Sequence, residues 1–378
     1  MKIVFTGGGT GGHFYPIIAI AEALKDLARE GYLVPPQLYY IAPKPFDTHA
    51  LFENDIAFLK SPAGKIRRYP SIRNFTDLIL TTIGFLWSFI QLVRLYPDVV
   101  ISKGGYASVP TVLAAALLRI PIIIHESDAK PGRANLLGAH FAVRIATSFD
   151  SAADFFPKKV RGRIARTGAP IRKALFLPTP EDAAALLKLD TTVPTVLILG
   201  GSQGSTRINE TVLAALPDLV TFVNIIHQTG ESHIESTKEI AEIALEKNAR
   251  AARYHPFAYL STLSLREAAG IASLIVSRAG SGTIAEIAIW RRPAILIPIP
   301  EEISHDQHAN AYAFAKNGGA VVLEENNLTP HMLVSEVKRI TSDAKLAAAM
   351  GTASSAFTDP DAARLVAQAA LAIALSHE

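Results

Sequence analysis

The chain of 378 residues has no cysteine, which excludes disulfides, thiolate metal sites and cysteine nucleophiles and accords with a reducing cytoplasm. It also lacks an excess of either charge. Its 37 basic and 34 acidic side chains leave a formal +3, too little for a general nucleic-acid surface, so no nucleic-acid partner is expected and any basic patch must be local. No leader pattern opens the sequence: Lys2 stands alone before the apolar run, with no small-residue cleavage site, and the expectation is a protein that stays inside the cell. The uncharged apolar stretch from Leu78 to Val93 falls short of the roughly 20 residues that a membrane-spanning helix needs.

What is present is a set of glycine-rich turns, each following a short apolar run. Gly7-Gly8-Gly9-Thr10-Gly11-Gly12-His13 follows Lys2 to Thr6, and Gly200-Gly201-Ser202-Gln203-Gly204-Ser205 follows Thr195 to Leu199. β-Branched, apolar runs of this kind read as strands buried on both faces of a parallel sheet. Helical spacing comes next in each case, through Ile17, Ile18, Ala21 and Leu24 and through Ile208, Val212, Leu213 and Leu216. A strand, a glycine turn and a helix together present backbone N–H groups and a positive dipole end to an anion, so a phosphate-bearing ligand is expected. A third turn, Ser277-Arg278-Ala279-Gly280-Ser281-Gly282-Thr283-Ile284-Ala285-Glu286, is read the same way. Its Glu286 is expected in the first helical turn, to accept from a ribose diol or to compensate the helix dipole. The polar loop from Glu301 to Asn310 offers Asp306, Gln307, His308 and Asn310 for sugar hydroxyls.

Strand-like runs at Gln37–Ala42, 99–102, 121–125, 144–147 and 162–167 alternate with helical patterns, and the second half repeats the alternation at 195–199, 221–227, 250–254, 273–277, 294–298 and 320–323. This is the pattern of an α/β protein with parallel sheets wrapped by helices. Length and the paired turns predict two Rossmann-like domains facing across a cleft, 1–168 and 169–351, with a helix from about 352 to 378 returning to the first. The Asp359-Pro360-Asp361 triplet lies in this tail and reads as a helix start with proline at its first position, so no metal site is predicted.

On a helix, Asp77, Thr81, Gly84, Ser88 and Gln91 would form a narrow small or polar stripe, leaving a wide apolar face. With Lys60, Lys65, Arg67, Arg68, Arg73 and Arg94 flanking it, such a helix suits an interface rich in anionic headgroups. An ordinary core helix is the other reading. Gly7, Gly9 and Gly12, with Asp26 or Glu30 further on, also match a dinucleotide fingerprint. That match ignores the second half of the chain.

The ordered motifs 8–13, 104–108 (Gly-Gly-Tyr-Ala-Ser), His125-Glu126, Gly168-Ala169-Pro170-Ile171-Arg172, 200–204, 277–280 and 307–311 together closely resemble the MurG family, from Lys2 to about Leu323. The resemblance implies a GT-B glycosyltransferase, a hexosyltransferase acting without metal or cofactor. It would transfer N-acetylglucosamine with inversion from UDP-N-acetylglucosamine to the muramoyl C4 hydroxyl of undecaprenyl-diphosphate-linked lipid I, giving lipid II for peptidoglycan synthesis. Another GT-B glycolipid transferase, or a non-catalytic nucleotide-sugar-binding protein, is the alternative. The resemblance implies an acceptor-binding first domain peripheral to the cytoplasmic face of the membrane through the region of Leu78–Val93, and a donor-binding second domain. By similarity, Arg172, Ser202, Ser281, Gly282, Thr283, Ile284, Ala285, Glu286, Asp306 and Gln307 fall on donor positions. Thr10, Gly11 and Gly12 approach the donor from the other side, and Ala258 lies beside the uracil.

The sequence also departs from the pattern. His-Glu-Gln-Asn reads His125-Glu126-Ser127-Asp128 here, so a donor amide becomes a carboxylate that only accepts when ionised. Val109 replaces a usual glycine, Ala169 a usual asparagine, and the 305–308 loop is reordered. A base must take the proton of the acceptor hydroxyl. His13 is the leading candidate, with binding of the acceptor diphosphate as its alternative role, and Asp128 is a second candidate base and substrate contact.

Overall fold

A computed structural model describes residues 1–8, 10–65, 73–176, 189–201 and 204–376. The chain divides into two compact units, Met1–Lys173 with Asp359–Glu378, and Ala174–Thr358.

The first unit is built on strands β1 (Lys2–Thr6), β2 (Gln37–Ala42), β3 (Ile56–Lys60), β4 (Val99–Ser102), β5 (Ile122–Glu126), β6 (Arg144–Thr147) and β7 (Ile164–Arg166). They form one sheet in the order β3-β2-β1-β4-β5-β6-β7, every pairing parallel. The second unit holds β8 (Thr195–Leu199), β9 (Asn224–Gln228), β10 (Tyr254–Phe257), β11 (Ala272–Ser277), β12 (Ala294–Leu296) and β13 (Ala320–Val322). Its order is β10-β9-β8-β11-β12-β13, again wholly parallel. Counted from β1 and from β8, the second sheet runs 3-2-1-4-5-6, the doubly wound Rossmann order, and the first runs the same with a seventh strand added beyond the sixth. The winding direction reverses between β1 and β4 and between β8 and β11, and in such sheets ligands bind outside the strand carboxyl ends at that point.

The apolar spacing explains the layers. Ile17 and Leu24 of the helix Gly11–Glu30 pack with Ile3 and Phe5 of β1. Val366, Ala367 and Ala370 of the helix Ala362–Leu375 join the same core, so the end of the chain completes the first unit. In the second unit, Ile208, Val212 and Leu216 of the helix Thr206–Leu219 pack with Val196 and Ile198 of β8 and Val276 of β11.

Four expectations are corrected. The edge strand β3 had no counterpart in the sequence reading. The strand expected at 250–254 lies at Tyr254–Phe257 because Ala251–Arg253 forms a 3-10 turn. It carries Pro256, which an edge strand such as β10 accommodates because the missing N–H breaks no central ladder. The C-terminal tail is two helices, Ala344–Ser355 and Ala362–Leu375. Pro360 therefore precedes the N-cap residue Asp361 and does not occupy the first helical position, while Asp359 Oδ1 accepts from Asp361 N at 2.9 Å.

The helix Arg73–Leu95 is longer than the uncharged stretch suggested, and its Phe75–Leu95 part, at mean hydropathy 1.7, has the length and composition to cross a bilayer. Its polar stripe, however, faces the protein. Ser88 is fully buried, its Oγ 2.9 Å from Ser61 Oγ and 3.1 Å from Thr111 Oγ1. Gln91 Nε2 donates to Lys60 O at 2.9 Å, and Thr81 Oγ1 accepts from Gly64 N at 3.2 Å. Gly84 lies so close to the Pro62 carbonyl that a Cβ would stand 1.7 Å from that oxygen. The apolar side points outward: Leu78, Ile79, Leu80, Ile83, Leu86, Trp87, Ile90 and Val93 are 41–55% exposed. Leu92 is buried, and Phe85 and Phe89 pack partly on the core. An ordinary core helix would bury the opposite face.

Candidate active site

In the first unit, the loops after β1, β4 and β5 meet at the reversal of the sheet order. Tyr40 OH donates to Gly7 O at 2.6 Å and fixes the first glycine turn from β2. Thr10 is exposed at the N-cap of the helix Gly11–Glu30, its Oγ1 2.9 Å from Nδ1 of the half-buried His13. A buried polar cluster lies beneath. Lys103, directly after β4, places Nζ 2.6 Å from His125 Nδ1 and 2.5 Å from Ser127 Oγ. His125 Nε2 lies 3.0 Å from Gly168 O, so that nitrogen carries the proton and Nδ1 accepts from Lys103. Glu126 Oε1 accepts from Asp128 N at 2.9 Å; its Oε2 accepts from Gly132 N at 3.0 Å and Asn135 Nδ2 at 2.9 Å.

Burial governs the protonation of this cluster. It pushes Lys103 down to about 8, opposed by the charges of Glu126 and Asp128. It pushes Glu126 up to about 7, with the Asp128 charge acting in the same direction. His125 is held well below the usual imidazole range by burial and by the Lys103 charge. His13 is lowered by burial and by Lys103, while Asp128 pulls the other way. Near neutrality His13 is therefore an unprotonated imidazole, the form that can accept a proton.

In the second unit, the turns after β8 and β11 are linked by Arg278. Its Nη2 donates to Ser205 Oγ at 2.6 Å, its Nη1 to Ile297 O at 3.1 Å, and it pairs with Glu325. Ser205 Oγ also caps the helix Thr206–Leu219 by accepting from Ile208 N at 3.3 Å. Gly204, at φ +79°, lies where a Cβ would stand 2.0 Å from Thr229 O. The helix Ser281–Ile289 starts beside it in the sheet order, with Gly280 as N-cap. Gln307 Oε1 accepts from Ala279 N at 3.3 Å and from Ile299 N at 3.2 Å, tying the helix His305–Ala315 to the ends of the neighbouring strands.

The residues expected from the sequence fall out as follows. In the first unit, Thr10 is the N-cap and Gly11, Gly12 and His13 form the first turn of the helix after β1, while Asp128 lies in the loop after β5. Arg172 is also in the first unit, its guanidinium 3.8 Å from the centroid of the Tyr15 ring. Ser281, Gly282, Thr283, Ile284 and Ala285 form the first turns of their helix. Ser281, Ile284 and Ala285 are buried, and Ile284 N donates to Gly280 O at 3.0 Å. Glu286 is half-buried and lies in the second turn of that helix, which corrects its expected place in the first. Ala258 O accepts from Gly230 N at 3.0 Å just after β10. Asp306 and Gln307 lie in the first turn of the helix His305–Ala315. Ser202, Gln203, Gly9, Arg67 and Arg68 lie outside the described residues, as does the side chain of Arg73. Lys103 was not singled out from the sequence. The available signal was a lysine placed between an apolar strand and a Gly-Gly turn, where a cation must be buried.

Comparison with known proteins gives concordant matches. Residues 3–147 match the glycosyltransferase family 28 N-terminal domain and residues 195–366 match the glycosyltransferase family 28 C-terminal domain. Over 337 residues the chain is 34% identical to a UDP-N-acetylglucosamine–N-acetylmuramyl-(pentapeptide) pyrophosphoryl-undecaprenol N-acetylglucosamine transferase of Treponema denticola, covering 88% of this chain and 86% of the relative. It is 36% identical over 348 residues to the protein of the same name from Halothermothrix orenii, covering 91% of each. Among solved structures, Acinetobacter baumannii MurG is similar at a TM-score of 0.74 and 24% identity, covering 98% of this chain and 99% of that one.

Proposed function

The chain belongs to the family of UDP-N-acetylglucosamine–N-acetylmuramyl-(pentapeptide) pyrophosphoryl-undecaprenol N-acetylglucosamine transferases, built from the two glycosyltransferase family 28 domains, and from that membership we propose how its residues carry out the transfer. The donor is UDP-N-acetylglucosamine and the acceptor the muramoyl C4 hydroxyl of undecaprenyl-diphosphate-linked lipid I. The product is lipid II, for peptidoglycan synthesis. The observation that carries the reading is His13 in the segment after β1, next to the buried cluster of Lys103, His125 and Glu126 at the reversal of a doubly wound sheet.

The acceptor oxygen attacks the anomeric carbon of the sugar. A carbon–oxygen bond forms as the bond to the β-phosphate breaks, and UDP leaves with the electron pair. With His13 Nδ1–H donated to Thr10 Oγ1, Nε2 presents its lone pair and takes the hydroxyl proton. The charge growing on the departing diphosphate is met by backbone amides at the starts of the helices Thr206–Leu219 and Ser281–Ile289. Glu286 accepts from the ribose, Ala258 lies against the uracil by backbone contact, and Asp306 and Gln307 engage sugar hydroxyls. Ser202 and Arg172 complete the donor contacts, and Thr10, Gly11 and Gly12 are further substrate contacts. Direct displacement converts the α-linked donor to a β-linked product.

The outward apolar face of Arg73–Leu95, flanked by the exposed Lys60, Lys65 and Arg94, supports a peripheral position on the cytoplasmic face of the membrane, the helix lying in the interface with its polar stripe seated on the protein. Incubation with labelled UDP-N-acetylglucosamine and lipid I, followed by product separation and anomeric analysis, tests the reading. A β-linked disaccharide product is expected. An α-linked product eliminates direct displacement, and transfer only to a different lipid acceptor eliminates the lipid I assignment.

A further inference from the structure

Lys103 is 1% exposed and makes more of the first unit's loop contacts than any apolar residue in its place could. Its backbone N donates to Thr6 O at 2.9 Å, binding it to the last residue of β1. Its Cβ packs on the first glycine turn, so closely that a Cβ on Gly7 would stand 2.9 Å away. Its ammonium reaches His125 at the end of β5 and Ser127 in the loop beyond, at 2.6 and 2.5 Å. One side chain thus spans the ends of three neighbouring strands. Two carboxylates, Glu126 and Asp128, also act on it through their charges.

We infer that Lys103 is a positioning residue for the transfer reaction, tying the loops after β1, β4 and β5 into one geometry around His13. The inference rests on the transferase reading given above. Lys103 does not touch substrate; it acts through His13, Ser127 and Asp128. The titratable groups facing this cluster are His13 from the helix after β1, His125, Glu126 and Asp128 from β5 and its loop, and Tyr40 from β2, whose hydroxyl is committed to Gly7 O. Among these, the Lys103 charge opposes protonation of His13 and Asp128 favours it. Removing the ammonium therefore raises the pKa of His13, and the acid limb of the pH–rate profile moves to higher pH.

The experiment uses the full chain with K103M, K103Q and K103R. K103M and K103Q should lose roughly 10- to 100-fold in kcat, the scale of a small misplacement of reacting groups, with the KM for UDP-N-acetylglucosamine changed less than kcat because most of the donor contacts lie in the second unit. K103R restores charge and should recover a measurable part of kcat. The His13 imidazole, followed by NMR against the H13Q spectrum, should titrate at higher pH in K103M and K103Q than in wild type, and not in K103R. The neutral variants keeping wild-type kcat, or an unmoved His13 titration, overturns the inference. So does a loss of kcat that Arg fails to rescue while the pH profile stays in place, since that is what a purely structural residue would give. Should K103M fail to fold, the same criteria apply to the polar K103Q. Wild-type protein that does not glycosylate lipid I would instead overturn the transferase reading, and the His13 titration would still decide the role of Lys103.

Discussion

Replacing Leu86 and Trp87 together by glutamine tests which way the Arg73–Leu95 helix faces. The two side chains are 55% and 51% exposed, so folding should change little: surface positions of this kind shift stability by about 0.5 kcal/mol or less each, and glutamine is a good helix former. On a membrane, the exposed half of each side chain would enter the apolar phase. With full burial of such a side chain contributing ~1.5–3 kcal/mol, half of each amounts to about 2 kcal/mol for the pair, or roughly a 30-fold weaker partition coefficient. Co-sedimentation with vesicles containing anionic lipid should show that loss, with an unchanged melting temperature. Ser88 is the contrasting position. S88L would crowd a site packed against Ser61 and Thr111 and leave their hydroxyls short of a partner, at a cost of about 2–4 kcal/mol. Its melting temperature should fall. If the double glutamine variant bound vesicles as wild type does, or if it melted as early as S88L, the assignment of the outward face would be wrong.

Other outcomes follow from the same geometry. H13A should lower kcat by about 100-fold or more while UDP binding measured by calorimetry stays near wild type; unchanged turnover removes His13 as the base. D128N should reduce the rate, and a gain or no change would show that the carboxylate plays no part in the chemistry. G204A forces a side chain onto a backbone at φ +79° and against Thr229 O, so scanning calorimetry should find a loss of about 2 kcal/mol or more. His227, buried with Nδ1 2.9 Å from Tyr254 OH and Nε2 3.1 Å from Asn209 Oδ1, is pushed down to about 3 by burial. The folded state then binds fewer protons than the unfolded one, so stability from this group is full above the unfolded value near 6.5 and falls as pH drops toward 3. H227Q should flatten the melting temperature against pH across that window, and an equally steep curve would show that another group sets it.

Much of the architecture was legible in one dimension because the local patterns agreed with one another. Apolar runs end at Thr6, Leu199 and Ser277, each followed by a glycine-rich segment and helical spacing, and each run proved to be a strand followed by a helix. β3 escaped notice because it is a five-residue edge strand, IAFLK, half of whose surface is open to solvent. A sheet edge imposes no burial pattern for the sequence to display. Glu286 was displaced by one turn because the sequence does not mark the first hydrogen-bonded residue of a helix preceded by Gly-Ser-Gly.

The residue order by itself determined the fold class and its strand-then-helix alternation, since these depend on neighbours in the chain and on periods of two and 3.6. The tertiary structure decided which side of the Arg73–Leu95 helix meets the protein, because a polar stripe can face either water or partners such as Ser61 and Thr111 that lie elsewhere in the chain. It also decided the charge state of the cluster around His13. Lys103 and Glu126 are ordinary ionisable residues until the parallel sheet brings the ends of β1, β4 and β5 together and removes their water.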